Sequence, residues 1–167
     1  ENSETIPEIL VALERETHQK ILQPRMLSGA LQGRLLSLIS HLISPKLIIE
    51  IGTYTGYATL CLAEGLREKG KIHTLDINEE LVPIQSKFFN KSPFKDQIIS
   101  HLGPALDLIP KISGPFDLAF IDADKVNYDT YFEMLVPKMN QGGLILSDNV
   151  LWSGKVLEKA DSKDEST

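Results

Sequence analysis

The stretch Lys46-Leu47-Ile48-Ile49-Glu50-Ile51-Gly52-Thr53-Tyr54-Thr55-Gly56-Tyr57 joins an apolar run to a glycine turn and then to a helical pattern. A short apolar run bounded by turn signals reads as a buried strand, here starting at Lys46. A glycine turn between strand and helix marks a place where backbone can approach a ligand closely. The spacing is G-x-x-x-G and not the dinucleotide pattern G-x-G-x-x-G, and Tyr54-Thr55 leaves no obvious cradle for a pyrophosphate. A nucleoside without a diphosphate fits this turn better than NAD does.

On the N-terminal side, Ile9, Leu10, Leu13 and Thr17 recur at helical spacing from Pro7 to about Lys20. After Pro24, a second helical pattern through Leu31, Leu35, Leu36, Leu38, Ile39 and Leu42 runs to the Ser44-Pro45 turn. On the C-terminal side the chain alternates. The pattern predicts helices over Gly56 to Lys69, Glu79 to Asn90, Ala105 to Ile109 and Tyr128 to Pro137. Strands are predicted over Lys71 to Leu75, Gln97 to His101, Phe116 to Ile121 and Gly143 to Ser147, the last after the Gln141-Gly142-Gly143 turn. Strands separated by helices make a parallel sheet covered on both faces by right-handed crossovers, a doubly wound α/β fold. Such a sheet binds its ligand outside the carboxyl ends of the strands, where the strand order reverses.

Bulk properties narrow the function classes. A chain of 167 residues with 42% apolar residues suits one domain with one substantial core, expected over 1–167. The net charge of −6 argues against a surface that neutralises phosphates, so nucleic acid is not the expected partner. Cys61 is the only cysteine and has no internal disulfide partner. No apolar run approaches the roughly 18 residues of a membrane span, and ENSETIPEIL lacks the basic region of a signal peptide. A cytoplasmic protein is expected.

The predicted strand ends deliver acids to one edge: Glu50, Asp76, Asp122-Ala123-Asp124 and Asp148. Each alone reads equally well as a turn or cap residue; their shared location favours a site. Asp76 follows Gly56 at the offset from which an acid closing the second strand accepts hydrogen bonds from both ribose hydroxyls. Asp122, Asp148 and Asn149 offer two carboxylates and an amide oxygen, hard ligands suited to Mg²⁺, Mn²⁺ or Ca²⁺. Lys125 stands three residues after Asp122, within reach of anything bound there, and a nearby cation favours its neutral, basic form. His18, His41, His73 and His101 are scattered and read as ordinary surface or core residues, and Cys61 as packing.

Together EIGTYTGY (50–57), LDIN (75–78), GPAL (103–106), DADKVNY (122–128) and DNVLW (148–152) resemble the cation-dependent O-methyltransferases of the caffeoyl-CoA and catechol type, in order and spacing over about 20–155. The resemblance implies a Rossmann-like S-adenosylmethionine-dependent methyltransferase fold. It implies cofactor contacts at Ser28, Glu50, Gly52, Thr53, Ala58, Asp76, Ala105, Asp122 and Asp124, metal ligands at Asp122, Asp148 and Asn149, and Lys125 as general base. The implied acceptor is a small catechol-like diol, with a modified RNA base or a non-catalytic cofactor-binding role as alternatives. Ala58 stands where many members carry a Ser that contacts the methionine end, so that contact is expected to be missing or water-mediated. Ser153 stands after Trp152 where plant members often carry an acceptor-contacting Asn, which argues against caffeoyl-CoA. The family continues into two antiparallel strands that complete the sheet, so this chain is expected to be part of a longer polypeptide. With the fifth strand as an open apolar edge, a homodimer is expected.

Overall fold

The computed structural model describes residues 5–151. Helix α1 (Glu8–Lys20) and helix α2 (Gly29–Ile43) precede strand β1 (Leu47–Ile51). Then follow α3 (Tyr57–Ala63), β2 (Lys71–Asp76), α4 (Val82–Lys91), β3 (Ile98–Leu102), α5 (Ala105–Leu108), β4 (Phe116–Ile121), α6 (Tyr128–Leu135) and β5 (Met139–Ser147). All pairings are parallel and the order is β3-β2-β1-β4-β5, so the direction of winding reverses between β1 and β4. The doubly wound sheet read from the sequence is present, as is its switch point.

Strand residues alternate between two cores, as a sheet buried on both faces requires. Ile48, Ile72, Leu118 and Phe120 pack with Leu10, Leu36, Leu60 and Phe88 of the first four helices. Ile49, Ile51, Leu75, Ala119 and Ile121 pack with Ile109, Tyr131 and Leu135 on the opposite face. No helix among the described residues is long and apolar enough to cross a membrane.

Two element boundaries differ from the sequence reading. Helix α3 stops at Ala63 instead of continuing to Lys69. The cause is close packing on α2, since a Cβ on Gly65 would lie 2.2 Å from the Ser40 carbonyl carbon. Strand β5 begins at Met139, before the Gln141-Gly142-Gly143 turn instead of after it. Phe116 pairs with Met139 but Leu118 pairs with Leu144, so Asn140–Gly143 bulge opposite Asp117. Asn140 Nδ2 donates to Asp117 Oδ1 at 2.7 Å and pins the bulge.

The switch point is held by a close backbone approach. Gly52 has φ +100°, and a Cβ there would sit 2.0 Å from the Asp122 carbonyl oxygen. Gly52→Ala therefore combines a disfavoured dihedral with a clash against backbone that cannot rotate away. The variant should lose more than about 3 kcal/mol in denaturant unfolding. A midpoint within error of the parent would show that the β1 and β4 ends separate freely.

Candidate functional site

The strand ends are stitched to one another by backbone hydrogen bonds that continue past the sheet. Gly52 N and Thr53 N donate to Leu75 O at 2.9 and 3.2 Å, and Gly103 N donates to Asp76 O at 2.8 Å. Asp122 N donates to Ile51 O at 2.8 Å, and Asp148 N to Ile121 O at 2.9 Å. The glycine turn, Asp76, the Gly103–Ala105 turn, Asp122 and Asp148 thus leave the sheet along one edge.

Asp76 organises the glycine turn. Its Oδ2 accepts from Tyr54 N at 2.6 Å and its Oδ1 from Asn78 N at 2.8 Å. Each carboxylate oxygen spends one lone pair on backbone and keeps another, so a pair of adjacent hydroxyls can still be received. Tyr54 sits in the left-handed region at φ 48°. Its carbonyl accepts from Gln85 Nε2 at 2.6 Å and its hydroxyl donates to Gln23 O at 2.7 Å. The second bond ties the turn to the segment that leads to Ser28, the residue preceding α2. Ala58 is buried in the core at the start of α3 and offers only a methyl group. Ala105 opens α5 and is partly packed against the second core.

Glu50 is fully buried beneath the turn. Its Oε2 accepts from Thr59 Oγ1 at 2.5 Å and from Thr74 Oγ1 at 2.6 Å. Because Thr74 gives its proton to Glu50, Thr53 Oγ1 is the donor in its 2.5 Å contact with Thr74 Oγ1. Glu50 Oε1 is buried and has no hydrogen-bond partner among the described residues. Burial pushes the carboxyl up to about 8, against the two threonine bonds, which favour its charged form. An unpartnered buried oxygen under a glycine turn fits a ligand that brings its own donor, as the amino and hydroxyl groups of S-adenosylmethionine do.

The second half of the site lies after β4 and β5. Asp122 is half-buried, and burial followed by the charge of Asp148 raises its carboxyl to about 6. The charge of Asp148 disfavours a second negative charge on Asp122, and a cation bound there would reverse that. Among the described residues no group of three or more His, Cys, Asp or Glu side chains is poised for a metal, so a cation here rests on two carboxylates and the Asn149 amide. That donor set suits a hard ion and leaves positions open for further oxygen ligands. Asn149 is exposed and in the left-handed region at φ 54°.

Lys125 Nζ lies 3.9 Å from Asp122 Oδ1 and donates to Asp148 O at 3.0 Å and Tyr128 Oη at 2.5 Å. The Tyr128 hydroxyl lies 3.3 Å from both Ile121 O and Asp148 O, so it can donate a hydrogen bond to a backbone carbonyl while accepting one from the lysine. Asp124 faces α6, where its Oδ1 accepts from Tyr131 Oη at 2.6 Å and its other oxygen from Asn127. Its carboxylate holds that helix start, which leaves its peptide and spare lone pairs for a ligand.

The sequence reading did not single out Thr59, Thr74, Gln85, Tyr128 or Tyr131. Thr74 had a visible signal, a hydroxyl two residues after Ile72 and therefore on the same buried face of β2. Thr59 and Gln85 act through partners in other elements, whereas Tyr128 and Tyr131 bond to Lys125 and Asp124 just before their own helix.

Fold and site define the class: a Rossmann-like sheet of the S-adenosylmethionine-dependent methyltransferases, with an acid at the end of β2 and two further acids just beyond the ends of β4 and β5. The family profile described as O-methyltransferase matches residues 1–167, and the chain belongs to that family. A caffeoyl-CoA O-methyltransferase of Zinnia elegans is 41% identical over 143 residues, covering 82% of this chain and 58% of the relative. A catechol O-methyltransferase of Niastella koreensis is 36% identical over 132 residues, covering 77% of this chain and 60% of the relative. The chain thus spans about three fifths of the length of these curated relatives. The crystal structure of an O-methyltransferase from Bacillus cereus in complex with SAH is similar with a TM-score of 0.90 at 30% identity, over 97% of this chain and 75% of that one.

The buried Glu50 gives the fold a pH signature. Its folded value of about 8 lies above the ordinary carboxyl value of 4.5, so the folded state holds a proton that the unfolded state releases. Its contribution is fully present below pH 4.5 and is lost as pH rises towards 8. The ligand-free protein should lose up to about 1.4 kcal/mol per pH unit across that window, and Glu50→Gln should flatten the slope. Unfolding midpoints measured from pH 5 to pH 8.5 test this. An unchanged slope in the variant places the titrating group elsewhere.

Proposed function

We propose that this chain forms the cofactor and metal half of an S-adenosylmethionine-dependent O-methyltransferase that methylates a hydroxyl of a small catechol-like diol. The divalent cation is Mg²⁺ before Mn²⁺ or Ca²⁺. The observation that carries the reading is Lys125 Nζ, 3.9 Å from the Asp122 carboxylate and bonded to the Asp148 carbonyl, on the edge where Asp76 keeps lone pairs for a diol. The similarity to caffeoyl-CoA and catechol O-methyltransferases supports the same acceptor chemistry.

Asp76, Glu50, the Gly52–Thr53 backbone and Ser28 would hold the cofactor, and Asp122, Asp148 and Asn149 the cation. When bound, the cofactor supplies an electrophilic methyl group and the cation orients and acidifies the acceptor hydroxyl. The side chains then have three tasks. Asp76 fixes the nucleoside end by hydrogen bonds to its two hydroxyls. The Glu50–Thr74–Thr53 chain presents a buried oxygen beneath the turn. Lys125, once neutral, takes the hydroxyl proton at Nζ while Tyr128 and the Asp148 carbonyl keep that nitrogen in place.

Asp76→Ala should weaken S-adenosylmethionine binding by about 1–3 kcal/mol, as for a lost hydrogen bond to a charged group. Calorimetry giving parental affinity would remove Asp76 from the cofactor site.

Chelation should abolish methyl transfer to a panel of diols, and Mg²⁺ or Mn²⁺ should restore it, with Zn²⁺ a poor substitute. Lys125→Met should lower kcat roughly 10²–10⁴-fold with cofactor affinity nearly unchanged, and the deficit should shrink at high pH, where the hydroxyl ionises unaided. Full activity after exhaustive chelation overturns the cation assignment. Full activity of the Lys125 variant at neutral pH overturns the base.

A further inference from the structure

The four histidines are scattered along the sequence, but the sheet brings two of them together. Leu75 faces the second core, so His73, two residues earlier on β2, shares that face. His101 of β3 shares it too, because it pairs with Leu75 in register. His73 Nδ1 and His101 Nε2 lie 2.9 Å apart, with the ring planes 16° from parallel and the centroids 5.1 Å apart. The facing nitrogens are nearer than the centroids by about the width of one ring, so the imidazoles meet edge to edge. Both side chains are half-buried, on the edge strand and its neighbour.

We propose that His73 and His101 form a chelating site for a divalent transition-metal ion, Cu²⁺ above all, separate from the cation assigned to Asp122, Asp148 and Asn149. Imidazole–metal bonds are about 2.0–2.1 Å long, so two that meet at a right angle place their nitrogens about 2.9 Å apart, whereas a tetrahedral ion needs about 3.3 Å. The observed spacing is the bite of a square-planar or tetragonal ion, the geometry of Cu²⁺ or Ni²⁺. Cu²⁺ also binds nitrogen ligands more tightly than the other divalent ions of its row.

The state of the two rings suits a ligand role. Neutral imidazole is the form that ligates a metal. Burial lowers the pKa of both rings, and the charges of His101 and Lys71 lower that of His73 further. The Lys71 ammonium is itself held by the Asp96 carbonyl at 2.5 Å. To admit the ion, the ring that donates the shared proton carries it on its other nitrogen instead, and both rings turn until their lone pairs converge. No proton is gained or lost. Half-burial leaves the remaining positions of the ion to water. Mg²⁺ competes poorly, because two imidazoles are softer ligands than the oxygens beyond β4 and β5. Ligand hardness thus separates two kinds of cation on one sheet.

Titration with Cu²⁺ against glycine as a competing chelator, with Mg²⁺ in excess, tests the site. The tightest-bound ion on the parent should show two imidazole nitrogens in its electron spin-echo spectrum. His73→Gln and His101→Gln should each weaken that binding at least about tenfold and remove the two-nitrogen signature, with circular dichroism reporting the fold. A variant carrying His18→Gln and His41→Gln should bind as the parent does. Broadening of amide resonances by the bound ion needs no substitution, and in the parent it should centre on residues 73 and 99–101. Fewer than two imidazoles on the parent's ion, parental affinity in either single variant, loss of the ion to Mg²⁺, or broadening centred elsewhere would each overturn the proposal. None of these readouts depends on methyl transfer, so the site and the proposed activity stand or fall separately.

Discussion

The contact on which the site depends is the approach of the Gly52 backbone to the Asp122 carbonyl, at the point where the sheet reverses its winding. No side chain fits there, because a Cβ on Gly52 would overlap the Asp122 oxygen. Asp122 N also donates to Ile51 O, so the same pair of strand ends is held by attraction as well as by shape. The consequence is chemical. The turn proposed to meet a nucleoside and the carboxylate proposed to hold a cation come from different strands, yet their backbones are held against each other. Groups that must meet a methyl donor and its acceptor within one bond length gain from a shared rigid mount.

Beneath that mount the fold tolerates a costly group. A carboxyl with no exposure would ordinarily be replaced by an apolar residue, since neither two threonine bonds nor neutralisation fully offsets desolvation. Glu50 keeps one oxygen satisfied through Thr59 and Thr74 and leaves the other without a partner among the described residues. A structural role for the carboxyl accounts for the first oxygen only. A ligand donor accounts for the second, and an unmet hydrogen-bonding position is where sequences trade stability for binding.

The sequence made the sheet legible because its strands are short apolar runs separated by helical periods, and their acids end the runs where ligands bind. Asp76, Asp122 and Asp148 could be placed on one edge from periodicity alone, while Glu50 lies one residue inside β1 and is buried beneath the turn. Two boundaries were illegible for a common reason. Gly65 and Asn140–Gly143 owe their conformation to partners in other elements, the Ser40 backbone and the Asp117 side chain. Tyr128 and Tyr131 were illegible for another reason: they look like core aromatics in a helix and act through their hydroxyls on Lys125 and Asp124. Position along the chain shows which residues share an edge. It does not show which of them touch.

Strand β5 links the two halves of the proposed chemistry more closely than its place at the end of the described residues suggests. Its last hydrogen bond, from Asp148 N to Ile121 O, holds the Asp148 backbone against the end of β4, one residue before Asp122. The Asp148 carbonyl accepts from Lys125, and Tyr128 of α6 lies against both. One peptide thus sets the distance between a candidate metal ligand and the candidate base. The Asn140–Gly143 bulge does not disturb it. It takes up the extra residues of β5 at the far end of the strand, so the register from Leu118–Leu144 to Ile121–Ser147 reaches the site without a break.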